Sequence, residues 1–179
     1  MWTVACRTLV VTLAVGAAIA TAARADQADD QFAVAAGHYD RQQWKLAVEQ
    51  FQTFLQKYPD DRRANQCVFF LGEALLQVGK FDDAREHFRQ YASREPDGKH
   101  ARVSLFRAGE AAYLTGKFDV AKPDLDAFWA KYPSDRLGAY VLPYLGDIAL
   151  AGDNAAAAAG HFREGLARFP DGPMQDNCR

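Results

Sequence analysis

The sequence predicts an all-α solenoid of about four stacked helix pairs, and three recurring phases predict it. Pro59, Pro96, Pro133 and Pro170 follow one another at intervals of 37 residues. Ala47, Ala84, Ala121 and Ala158 share a second phase, and four residues beyond them stand Phe51, Phe88, Leu125 and Phe162. Gly72, Gly109 and Gly146 share a third, with Ala35 at that place in the first copy. A fixed period of 20–50 residues is the signature of stacked repeats, each too small to bury its apolar face alone.

Each repeat encodes two helices. In the second copy, Cys67 to Leu76 is apolar at helical spacing. Gly79-Lys80 interrupts it, as glycine does beyond a helix C-terminus. Phe81-Asp82-Asp83-Ala84 opens a second helix with acids in its first turn, where the macrodipole favours them. Ala84, Phe88 and Tyr91 lie on one face of that helix, Arg94 is basic near its end, and Pro96 stops it. The small Gly72 and Ala84 let the two helices approach closely, and Phe88 fills the groove beside them.

The same arrangement repeats along the chain, with copies at about 28–62, 63–99, 100–136 and 137–172. Two prolines disturb the pattern. Pro143 falls early in the first helix of the fourth copy, where a first-turn proline is tolerated. Pro123 falls in the second helix of the third copy and is expected to delay or bend it.

The pattern resembles the tetratricopeptide repeat, whose signature is Leu-Gly in the first helix followed by Ala-x3-Phe and Pro in the second. Leu71-Gly72, Ala84, Phe88 and Pro96 match it. Ala108-Gly109, Ala121, Leu125 and Pro133 match with one conservative change, and Leu145-Gly146, Ala158, Phe162 and Pro170 match again. Ala35, Ala47, Phe51 and Pro59 form a first copy without the glycine. The resemblance implies a right-handed superhelix of antiparallel helix pairs. The usual repeat has about 34 residues; the extra residues here fall between the proline and the next first helix. That longer link, and the Tyr-Pro ending, are similar to bacterial envelope members of the family such as the Tol-Pal-associated cell-division coordinator and the outer-membrane assembly lipoproteins.

The N-terminal segment fits that address. Arg7 precedes an uncharged apolar run, Leu9 to Ala23, and Ala23-Arg24-Ala25 reads as the small-x-small cleavage site of a secretory signal peptide. Residues 1–25 are therefore expected to be removed, leaving a periplasmic or secreted protein. The alternative is an inner-membrane anchor, although the run falls short of the roughly 20 apolar residues of a span. Cys6 precedes the run, so no lipid-modified cysteine is expected at the cleavage site.

After cleavage Cys67 and Cys178 remain. They stand at equivalent positions three repeats apart, too far for a bond that needs Cα atoms within about 7 Å. Cys67 reads as a packed small residue, whereas Cys178 lies in a tail able to pair between chains. That tail, 173–179, echoes the start of a first helix: Gln175-Asp176-Asn177-Cys178 repeats Ala64-Asn65-Gln66-Cys67 in character. Three readings stand side by side: truncation of a longer array, an end covered by a partner or second copy, or a last helix that tolerates exposure.

Composition and motifs disfavour other classes of function. Lys and Arg number 21 against 23 Asp and Glu, a net charge of −2, with no basic stripe of the kind nucleic acid requires. His38, His87, His100 and His161 form no zinc-binding spacing, no glycine loop cradles phosphate, and no Gly-x-Ser-x-Gly elbow is present. No enzymatic activity, cofactor or metal is expected.

What remains is a surface. In this family the first helices line the groove that binds partners. One residue after the packing glycine come Glu73, Glu110 and Asp147, an acid at the same place in three successive repeats. Phe69, Phe106 and Pro143 precede them by one turn, and Leu76, Tyr113 and Leu150 follow by one turn. Phe69, Glu73, Phe106, Glu110, Tyr113, Tyr140 and Asp147 thus form the candidate partner-binding groove: an acidic stripe with apolar anchors, suited to a segment with Lys or Arg beside apolar side chains. The alternative is that the acids are solvated helix positions and the phenylalanines core. The family's carboxylate-clamping groove is not expected, since Gln66, Phe69, Glu73 and Phe106 stand where it needs lysines and asparagines. The expected function is a non-enzymatic adaptor of the bacterial periplasm, in envelope assembly or cell division, with no nucleic acid and no stable membrane span after cleavage. The alternative is a structural subunit that docks or self-associates through its last repeat.

Overall fold

The computed structural model describes residue 24 and residues 26–176. Among them every regular element is helical. Helix α1 covers residues 26–40. It is followed by α2 (Trp44–Lys57), α3 (Ala64–Gln77), α4 (Phe81–Arg94), α5 (Ala101–Leu114), α6 (Phe118–Lys131), α7 (Gly138–Ala151) and α8 (Ala155–Arg168). The period is reproduced to the residue. First helices α3, α5 and α7 start 37 residues apart, and so do second helices α2, α4, α6 and α8. The three-residue turns inside a repeat make its helices antiparallel neighbours. The links between repeats have six residues, which is where the extra length was expected. The expected signal segment, apart from Arg24, and Cys178 lie outside the described residues.

The turn inside each repeat needs one residue in the left-handed region. Gly79 and Gly116 occupy it at φ 77° and 72°, and Gln42 and Asp153 occupy the same place at φ 57° and 56°. Only glycine is free of steric cost there.

Contacts divide the chain into two compact units, residues 1–64 and 65–179. In the first, Ala28, Ala35, Ala47, Val48, Phe51 and Phe54 form the core. Phe32 and Tyr58 flank Phe54, with ring centroids 5.8 and 5.4 Å away. Arg63 lies over the Phe32 and Phe54 rings at 5.3 and 5.5 Å and pairs with Asp29 and Asp61. The hydrogen bond from Arg63 holds the Asp61 carboxyl below the usual range, against the effect of burial.

In the second unit α5 packs on both α4 and α6, and α7 on α8. The glycines of the third phase allow this. A Cβ on Gly72 would come within 2.9 Å of the Phe88 ring, and one on Gly109 within 2.7 Å of Leu125; at Gly146 the Phe162 ring is closer still. Ala84, Phe88, Ala121 and Leu125 are fully buried, and Cys67 is buried too. Phe162, at the same position in the fourth repeat, is only half-buried. Along the second helices, Arg85 and Arg89 of α4 both bond Asp124 of α6 at 2.8 Å, and Lys117 reaches Asp82 at 2.6 Å. Each joins adjacent repeats.

Pro143 differs from expectation, and Pro123 does so in one respect. Pro123 does not delay its helix: α6 starts at Phe118, in register with Phe81 of α4. Pro123 is exposed, so the carbonyl it leaves unbonded can turn to water. Pro143 is not in the first turn. It is the sixth residue of α7 and fully buried. The entry to α7 tightens ahead of it through Gly138 N–H to Asp135 O and Ala139 N–H to Arg136 O bonds, at 3.0 and 3.1 Å. No described helix is long and apolar enough to cross a membrane.

Candidate functional site

Helices α3, α5 and α7 bring the three equivalent acids onto one face, but they do not form a uniform stripe. Glu110 follows Gly109, whose close packing on Leu125 draws its neighbour toward the seam; the residue is 9% exposed. Arg107, one helical turn earlier on α5, lies between two acids. Its Nε donates to Glu73 Oε1 at 3.1 Å and its Nη1 to Glu110 Oε2 at 2.5 Å. The second Glu110 oxygen accepts from the Tyr144 hydroxyl of α7 at 3.5 Å. Burial works against charge on Arg107, and the Glu110 and Glu73 carboxylates overcome it, so the guanidinium is held more firmly protonated than usual. Burial raises the Glu73 carboxyl above the usual range, partly offset by Arg107.

The third acid has a different setting. Asp147 Oδ2 accepts from the Tyr113 hydroxyl at 2.6 Å, and no cation among the described residues lies within ion-pair distance of it. The Tyr113 ring stacks on that of Tyr144, centroids 4.1 Å apart and planes 26° apart. Burial, followed by the neighbouring carboxylates, pushes both phenols well above their usual range, so both remain protonated donors. Leu150, one turn beyond Asp147, is 51% exposed, and Leu114 at the end of α5 is 50% exposed.

The predicted site residues therefore divide. Phe69 and Phe106 are corrected from groove to core, at 6% and 3% exposure. Phe69 packs on Phe88 and Tyr91 and stacks on His100 at 4.1 Å; Phe106 packs edge-on to Phe128. The physical reason is the helix turn: one turn before a half-buried acid the face already points into the seam. Glu73 and Glu110 are engaged by Arg107 and do not form an open acidic surface. Tyr113 and Asp147 are joined to each other. Tyr140 stands apart from the acids, half-buried, with its ring 6.0 Å from Phe106. It lines a cavity of about 550 Å³ with Arg136, Leu137, Phe169 and Pro170.

Sequence reading missed the bridging role of Arg107 and all of Tyr144. The 37-residue period gave no signal for them. Acids recur every 37 residues, yet side chains meet across adjacent first helices at an offset of 34: Glu73 with Arg107, Glu110 with Tyr144, and Tyr113 with Asp147. Glu73 and Glu110 each face the residue one turn before the next acid, whereas Asp147 faces Tyr113, one turn after the preceding acid. Among the described residues, no group of His, Cys, Asp and Glu could hold a metal ion.

Two family models match the chain, both described as tetratricopeptide repeat. One covers residues 71–121 and 106–173, more than half of the chain, and the other covers 19–61. No curated protein matches in sequence. Among solved structures, MamA residues 41 to the end from Desulfovibrio magneticus RS-1 is similar, with a TM-score of 0.68 at 17% identity. The alignment covers 81% of this chain and 77% of that one. A second structure of MamA protein gives 0.69 at 13% identity, over 82% and 75%. Rap protein complexed with competence and sporulation factor gives 0.58 at 17%, over 85% of this chain and 45% of that one. At such identities the likeness is one of fold. The family models, the 37-residue register of the helices and the close glycine packing in the second, third and fourth repeats together show that this chain belongs to the tetratricopeptide repeat family.

Proposed function

We propose that the protein is a non-enzymatic adaptor of the bacterial periplasm that binds a segment of another envelope protein on the face made by α3, α5 and α7. The observation that carries the reading is a combination on α5 and α7: the half-buried Asp147 carboxylate and Tyr113 ring, joined by a hydrogen bond, with the half-exposed Leu114 and Leu150. Isolated exposed leucines need no explanation, but Leu150 one turn from an acid without a cation, with Leu114 next in sequence to the Tyr113 that orients that acid, gives a mixed polar and apolar surface of the kind partners use. Family membership supports the reading, as does the peptide-bound state of Rap structures, one of them in complex with the Phr* peptide. The envelope setting rests on the sequence of residues 1–25 and on the length of the links.

The test is photo-crosslinking in cells from an unnatural residue placed at Leu150, with the same residue at exposed Glu86 of α4 as control. The adaptor reading expects one envelope protein captured from Leu150 and not from Glu86. Equal labelling from both positions argues against this face.

A second reading, self-association through α8, is favoured by one observation: Phe162 is half-buried where its three counterparts are fully buried. Sedimentation of the protein and of Phe162→Glu separates the two. A dimer abolished by the substitution supports self-association.

A further inference from the structure

We propose that Asp147 is the recognition point for a basic residue of the partner, a lysine or arginine next to an apolar side chain, and that Glu73 and Glu110 are not recognition points at all. This rests on the adaptor reading above and names the chemistry of its partner.

The three acids are equivalent by sequence and differ by what already holds them. Arg107 occupies the place between Glu73 and Glu110 that a partner cation would take, bonded to both carboxylates. These two side chains are 13% and 12% exposed. A partner cation there would have to displace a half-buried guanidinium and leave it without its carboxylates. Asp147 asks for no such exchange. Its Oδ2 is oriented by the Tyr113 hydroxyl, and its Oδ1 takes no hydrogen bond among the described residues. The groups facing it are the neutral Tyr113 on α5 and, on α7 itself, Tyr144 stacked against that ring.

An incoming ammonium or guanidinium completes a charge-assisted bond at Oδ1. The apolar requirement comes from the next turn, where Leu150 offers an uncovered side chain on the same face of α7. A segment with one basic and one apolar residue spans both. Charge complementarity excludes an acidic segment: it would meet Asp147 with no counter-charge in reach, since Arg107 is engaged.

Selection from a displayed random peptide library, run in parallel on the unaltered protein and on Asp147→Asn and Glu73→Gln, tests this. Circular dichroism first establishes that each variant is folded. The expected result is enrichment of Lys or Arg beside an apolar residue on the unaltered protein and on Glu73→Gln, with the basic residue lost and the apolar one kept on Asp147→Asn. A synthesised copy of an enriched peptide should bind Asp147→Asn about tenfold or more weakly by fluorescence anisotropy. Enriched peptides without a basic residue, or a basic residue indifferent to Asp147, overturn the assignment while leaving the adaptor reading in place. No enrichment on any of the three proteins overturns the adaptor reading and the assignment with it. So does a self-associated form dispersed by Leu150→Arg, which makes the face a contact between copies.

Discussion

Glu110 on α5 and Asp147 on α7 occupy the same position of successive repeats and sit in different surroundings. Glu110 is nearly sealed, its two oxygens taken by Arg107 and Tyr144; Asp147 is half-buried, tied to one neutral hydroxyl, and has an exposed leucine one turn away. The difference lies in the residue one turn before each acid. Arg107, three residues before Glu110, joins it to Glu73 in a closed network, whereas Tyr144 stands in that place before Asp147, and Tyr113 from the adjacent first helix orients that acid without neutralising it. A repeat protein can thus hold its register with one rung and present chemistry on the next, without changing the backbone plan.

The largest effect should come from breaking the closed rung. Arg107→Ala leaves the half-buried Glu73 and the nearly sealed Glu110 without a counter-charge and should cost roughly 3 kcal/mol in urea unfolding. The same measurement on Asp147→Asn should change stability by less than about 1 kcal/mol.

Glycine packing sharpens the contrast. Gly109→Ala forces a methyl against Leu125, which is fully buried and cannot yield, and should cost about 1–3 kcal/mol. Gly146→Ala makes the tighter contact, but the half-buried Phe162 ring can move outward. Its cost should be the smaller of the two, read from paired thermal unfolding midpoints.

Turn residues give smaller effects, of either sign. Asp153→Gly relieves a left-handed backbone at a non-glycine residue and should stabilise by about 1 kcal/mol; Gly116→Ala should lose about as much.

The smallest effect is a pH slope that belongs to the inner repeats. Burial holds the His87 and His100 imidazoles below their ordinary pKa. Their unfolded counterparts, near 6.5, take up protons first as the pH falls. The stability linked to the neutral rings is therefore present above about pH 6.5 and declines below it, toward the lowered folded values. His87→Leu should flatten part of the stability profile between pH 7 and 5, measured by urea midpoints at half-unit steps.

The fold was legible because its determinants are local and periodic. The proline stops, the Ala and Phe phases and the turn glycines each act within a few residues, and their 37-residue spacing reappears as the helix register. The site was legible only in part. Asp147, Tyr113 and Leu150 were found on one face because they share a helix phase with the acids. Phe69 and Phe106 were misplaced because a helix phase does not show how wide the buried seam is. Arg107 and Tyr144 were missed as partners because contacts between repeats run along an offset of 34, which depends on how the first helices are staggered and not on the repeat length. Pro143 misled for a similar reason: α7 starts at Gly138, which puts the proline a turn deeper than its place in the sequence suggests.

Glu110 and Asp147, equivalent in sequence, should differ in what their removal costs, and urea unfolding of Glu110→Ala and Asp147→Ala side by side measures that difference. Opposite roles predict a loss of roughly 2–4 kcal/mol for Glu110→Ala, which strips Arg107 of a buried partner, and about 1 kcal/mol or less for Asp147→Ala. Equal losses, or a larger loss at Asp147, would contradict it, because both acids would then be structural and neither would be left for a partner.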